Sequence, residues 1–215
     1  MPDINVAQIF IGFTVLLFSL TIHEMAHAWT ADRLGDPTAR SLGRVSLNPL
    51  VHADPIGTIL FPLLAAISNF PLIGWAKPVP VSVRRLRHPR RDFVLVAAAG
   101  PASNVVLAFV AAMGLMILPV SPVTIGEPNV SAPLASTLGL AMRINVLLAV
   151  FNMIPIPPLD GGNVLSGLLP RGAARHFDMV RPYGFLLLYA LMFTGKLEYL
   201  ILPPYNLLVS WLPAK

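Results

Sequence analysis

His23 and His27 stand four residues apart near the end of a long apolar run, with Glu24 directly after the first. On a helix that spacing puts both imidazoles on one face, Cβ atoms about 6 Å apart, so two ring nitrogens can share one metal ion. In an H-E-x-x-H arrangement of this kind the glutamate is placed as the general base toward water. The plainer alternative is a set of buried polar residues satisfied by neighbouring helices. Their setting weighs against it. Ionisable groups in a transmembrane run cost ~3 kcal/mol each, so three within one turn require compensation, and a divalent cation supplies it.

A catalytic zinc takes three protein ligands and keeps a fourth position open, so one ligand is missing from this helix. The chain has no Cys, which leaves His, Asp or Glu. Asp160 fits best. It closes an apolar run without a nearby basic partner, whereas the other acids mostly sit in connectors beside Arg or Lys. Gly161 and Gly162 follow it, allowing close approach and a turn. Taken alone, Asp160-Gly161-Gly162 reads as an ordinary turn.

The elements that must position these residues are membrane-spanning. Of 215 residues, 55% are hydrophobic and only 12% charged, far from the roughly 25% of soluble domains. The expected fold is an all-α polytopic membrane protein with five to six apolar segments, several near the ~20 residues that cross a bilayer. The runs cover about 5–29, 56–75, 93–119, 134–156, 183–194 and 197–212. The start lacks the basic region of a cleavable signal, so the first run is expected to be retained as a helix. Pro62, Ser68, Asn69 and Pro71 make 56–75 a poor spanning helix, and Pro203-Pro204 is expected to break the last segment. Prolines 78 and 80 favour a short extended or β segment near 76–83. A single integral-membrane domain over 1–215 is expected, with a core at about 5–165 and a C-terminal membrane hairpin, or pair of tilted helices, at about 182–213.

His23-Glu24-Met25-Ala26-His27, Gly100-Pro101-Ala102-Ser103-Asn104 and Asn152-Met153-Ile154-Pro155-Ile156-Pro157-Pro158-Leu159-Asp160-Gly161-Gly162 resemble the three signature segments of the site-2 proteases. The third matches N-x-x-P-x-P-x-L-D-G-G at every fixed position. Leu47-Asn48-Pro49, His52-Ala53-Asp54-Pro55-Ile56-Gly57-Thr58 and Gly74-Trp75-Ala76-Lys77-Pro78-Val79-Pro80 resemble the compact subgroup without PDZ or CBS domains. The likeness runs from about Gly12 to Gly162. It implies His23, His27 and Asp160 as ligands of one Zn2+ per chain, Glu24 as the residue activating water, and substrate or oxyanion contacts for Asn104 and Asn152. It also implies a single-pass transmembrane protein as substrate.

For Asp160 to meet the His pair, the chain must cross the membrane an even number of times between them. Three apolar runs lie in that interval, so one must fail to span, and the Pro-broken run 56–75 is the natural re-entrant segment. The connectors 31–55, 76–92 and 159–181 carry Arg while 120–133 has neither Lys nor Arg. By the bias of basic loops toward the cytoplasm, the site lies toward that side of a prokaryotic cell membrane.

Asn104 and Asn152 sit in apolar helices, where hydrogen bonding between helices competes with a catalytic role. His52 and Asp54 read as a loop interaction or a pair supporting the site, His88 and His176 as solvated surface, and Gly100 and Gly114 as helix-packing positions. The net charge of +5 comes from Arg clusters. The loop from Arg84 to Arg91 lacks the interleaved aromatics that stack bases, so anionic lipid headgroups, not nucleic acid, are its expected partner. The expected activity is zinc-dependent hydrolysis of peptide bonds in or near transmembrane segments. A metal transporter or channel using the same His and Asp residues is the alternative, though it calls for repeated halves that are not evident. An inactive scaffold of the same family is a second.

Overall fold

The computed structural model describes residues 6–68, 75–118 and 131–213. The first five residues, the end of the expected re-entrant run (69–74) and most of the connector without Lys or Arg (119–130) lie outside them. Among the described residues three helices are long and apolar enough to cross a membrane: α1 (Val6–Arg33), α4 (Pro89–Ile117) and α5 (Ser131–Asn152). The 22 residues of α5 extend about 33 Å, just over the ~30 Å of a hydrocarbon core. Phe10, Phe18, Val106, Val110 and Ile117 point outward from these helices, an apolar exposure that suits lipid.

The three pack through small residues. Ala108, Ala111 and Ala112 of α4 let Met142, Val146 and Val150 of α5 approach closely, and Ile201, Tyr205 and Leu208 close the cluster from α9 (Lys196–Trp211). Between α1 and α4 come the one-turn α2 (Thr38–Ser41), a 3-10 turn at Pro49–Val51, a π-helical turn at Pro55–Leu60 and α3 (Phe61–Ser68). The 14 residues of Pro55–Ser68, the part of this run among the described residues, extend about 21 Å. Asp54 caps this stretch, accepting from the N–H groups of Ile56 (3.0 Å) and Gly57 (2.7 Å), and so is occupied locally instead of pairing with His52.

No strand forms among the described residues, so the β alternative for 76–83 is not met: 75–82 is irregular backbone, followed by a 3-10 turn at Val83–Arg85. The reason lies in its bonding. Pro78 and Pro80 carry no N–H, and the donors that are used go singly to loops and side chains. Trp75 N–H reaches the Gly57 carbonyl, Lys77 N–H the His52 carbonyl and Ser82 N–H the Asp36 carboxylate.

Past α5 the chain forms α6 (Asp160–Leu168), α7 (Arg171–Asp178), a 3-10 turn at Arg181–Tyr183, α8 (Gly184–Phe193) and α9. The stretch 171–193 meets α9 at 85°, as tilted helices and not as an antiparallel hairpin, with Gly195 at φ +70° making the corner. The expected break at Pro203-Pro204 does not occur. The carbonyls these prolines crowd belong to exposed Tyr199 and Leu200, while Leu197, Ile201, Tyr205 and Leu208 anchor the helix on its packed side.

Candidate metal centre

The structure brings His23, His27 and Asp160 together. Both histidines lie in the second half of α1, and the Pro-rich turn after α5 carries the first residue of α6 back against them. The His23 and His27 Nε2 atoms are 3.1 Å apart, and Asp160 Oδ2 lies 3.1 Å from the first and 3.3 Å from the second. Tetrahedral zinc with bonds of about 2.0–2.1 Å spaces its donors by about 3.3 Å, so this triangle has the size of a ligand set.

The protons agree. His27 Nδ1 donates to the Val96 carbonyl at 2.7 Å, and His23 Nδ1 to Asn104 Oδ1 at 2.6 Å. A neutral ring held this way turns a bare Nε2 lone pair inward, and Asp160 Oδ2 is buried there without a hydrogen-bond donor. Three acceptors facing one another repel unless a cation lies between them. Buried, two-nitrogen, one-carboxylate donors are the chemistry zinc takes at catalytic sites, and the residues present fit it.

Glycines make the approach possible. A Cβ on Gly100 would lie 2.3 Å from His27 Nε2 and 2.6 Å from His23 Nε2, so this residue, expected to serve helix packing, sits against the imidazoles themselves. Gly161 and Gly162 press on the Met153 carbonyl and on Pro157 in the same way, as the turn after Asp160 requires.

The centre opens on a cavity of about 930 Å³ walled by Glu24, Asn152, Tyr189, Trp75, Val79 and Val81. Trp75 packs edge-on against Phe61 (5.2 Å) and Phe185 (6.2 Å) in its wall. Val79 N–H donates to Glu24 Oε2 at 3.0 Å, and the Arg44 guanidinium holds the carbonyls of Lys77 and Pro78 from behind. Asn152 faces the cavity with Nδ2 donating to the Leu148 carbonyl at 3.0 Å. Asn104 does not reach the cavity: it is 0% exposed and bonds between helices. His52 binds the Ser46 carbonyl, and His88 is exposed beside Asp92.

Sequence reasoning passed over Arg44, Ser19 and Asn145. The last two were visible as polar residues inside apolar helices, where each must find a partner.

The profile of peptidase family M50 matches residues 119–193. YwhC of Bacillus subtilis, provisionally named a zinc metalloprotease, is 37% identical over 191 residues, covering 89% of this chain and 84% of that protein. Rip2 of Mycolicibacterium smegmatis, named likewise, is 32% identical over 183 residues, 85% of this chain and 66% of its own. Rip3 of Mycobacterium tuberculosis is 30% identical over 170 residues, or 33% of its length. No solved structure matches. With a relative this similar along nearly its whole length, the chain belongs to peptidase family M50, the site-2 protease family of zinc metalloproteases.

Proposed function

We propose that the chain is an intramembrane endopeptidase that holds one zinc ion through His23, His27 and Asp160 and cuts single-pass membrane proteins in or near their transmembrane segments. The observation that carries this reading is the triangle of inward lone pairs on the wall of a cavity shared with Glu24. Zinc, when bound, acts as a Lewis acid on the scissile carbonyl and makes water acidic enough to ionise near neutral pH.

The chain's own residues do the rest. Glu24 Oε2 is engaged by Val79 N–H, so Oε1 is the atom that takes a proton from the attacking water and later passes it to the leaving amine. Asn152 has a second amide hydrogen beyond the one given to Leu148, available to a substrate carbonyl in the cavity. A helical substrate must unwind to present its carbonyl. The Ala76 N–H and carbonyl have no partner among the described residues, and Ala76 lines the cavity, offering such a segment a donor and an acceptor.

The Arg distribution supports a centre toward the cytoplasmic side, and the prolines at 62 and 71 support 56–75 as re-entrant within one domain spanning 1–215. Anionic headgroups, not nucleic acid, are the partner of Arg84 to Arg91.

The test is purified protein in proteoliposomes with a single-pass substrate. Cleavage in or near the transmembrane segment, abolished by a zinc chelator and restored by zinc, is expected. Zinc passage across the vesicle without cleavage would support the transporter instead.

A further inference from the structure

Three side chains outside the cavity, Ser19, Asn104 and Asn145, lie along a path from α5 to His23 Nδ1, the ring nitrogen turned away from the metal site. Asn145 Nδ2 donates to the Ala141 carbonyl and to Ser19 Oγ, each at 2.9 Å. A backbone carbonyl can only accept, so the amide end beside it must be the NH2. The opposite end, Asn145 Oδ1, then accepts from Asn104 Nδ2 at 2.9 Å. That bond leaves Asn104 Oδ1 for His23 Nδ1 at 2.6 Å, and an oxygen there requires the hydrogen on Nδ1. Each orientation dictates the next, from a carbonyl in α5 to an imidazole in α1. Ser19 and Asn145 are 3% exposed, Asn104 0% and His23 4%, so water does not substitute for a missing link.

We propose that Asn145 is a positioning residue which, through Asn104, fixes His23 in the tautomer whose Nε2 is free to bind zinc. Were Asn104 turned over, its oxygen would face the Asn145 oxygen, and its NH2 would face His23 and favour the Nε2–H form that cannot ligate. Asn145 is what opposes that turn. His27 needs no such relay, because the Val96 carbonyl fixes it directly. The inference rests on His23 being a zinc ligand, and it assigns Asn104 to ligand orientation instead of oxyanion contact.

The test compares wild type, Asn145→Leu, and the double variant Asn104→Asp with Asn145→Leu. Zinc affinity is read by chelator competition, and the His23 tautomer by 15N chemical shifts of the zinc-free protein. Asn145→Leu should bind zinc about 10–100-fold more weakly, the range for lost support behind a ligand, and should populate the Nε2–H form. A carboxylate presents an acceptor whichever way it turns, so Asn104→Asp should return the affinity of the double variant toward wild type. A packing defect would not be repaired in this way. Wild-type affinity and tautomer in folded Asn145→Leu, or a double variant as weak as the single, overturns the relay. Should Asn145→Leu fail to fold, the wild-type spectrum decides, because a dominant Nε2–H form at His23 is incompatible with the proposal. A wild type that binds no zinc yet holds the Nδ1–H form would refute the metal reading and leave the relay standing.

Discussion

Val79 and Glu24 are joined by a single bond, the Val79 N–H donating to Glu24 Oε2 at 3.0 Å, so the segment crossing the cavity also aims the candidate base. Val79→Pro removes that donor. It should lower kcat about 10–150-fold, the equivalent of the ~1.5–3 kcal/mol of a hydrogen bond to a charged group, while bound zinc stays stoichiometric. Val81→Pro leaves the Glu24 contact in place and should raise KM instead, if substrate pairs along this backbone. Steady-state kinetics on both variants separates the two roles, and an unchanged kcat in Val79→Pro breaks the link to Glu24.

Glu24→Gln keeps the shape of the side chain and removes its basicity. Cleavage should fall about 10²–10⁴-fold, the usual contribution of a general base, with zinc content unaltered. Metal analysis beside a cleavage assay checks this, and retained activity would remove Glu24 from its role.

Gly100→Ala places a methyl group 2.3 Å from His27 Nε2. Overpacking of this kind costs ~1–3 kcal/mol, and here relief comes only by moving the imidazoles, so zinc content should drop while helical circular dichroism persists. Gly139 in α5 has nothing within 4 Å of an added Cβ, and Gly139→Ala should keep full zinc.

His52 lies outside the long helices and is 2% exposed. Burial, helped by the Arg44 charge and opposed by the Ser46 carbonyl and Glu24, holds its imidazole below the usual histidine range. The unfolded chain therefore binds a proton near pH ~6.5 that the folded protein takes up only at lower pH. This contribution to stability is complete above that pH and is lost as pH falls through the folded value. His52→Gln should flatten the decline in thermal midpoint between pH 8 and 5, and parallel curves for the two proteins would point to another group.

The metal trio was legible because its constraints are local. Four-residue spacing fixes one face of a helix, and Asp160 closes an apolar run without a basic partner, although Asp160-Gly161-Gly162 by itself reads as a turn. What the sequence hid depends on partners far along the chain. Nothing near Asn145 announces that its amide meets Asn104 and Ser19, 41 and 126 residues away. Arg44 reads as one more connector cation, yet it is buried against carbonyls 33 and 34 positions on. Pro203-Pro204 misled in the other direction: packing against α5 keeps α9 helical where local preference would end it.

The chamber beside the metal centre holds about 930 Å³. A helix of roughly 10 Å diameter rising 1.5 Å per residue fills that space within about eight residues, two turns at most. A polypeptide long enough to traverse a bilayer is more than twice that length. Under the proposed reading, most of the victim's sequence is never inspected by the chamber, and selection falls on whichever brief stretch loosens enough to slip inside.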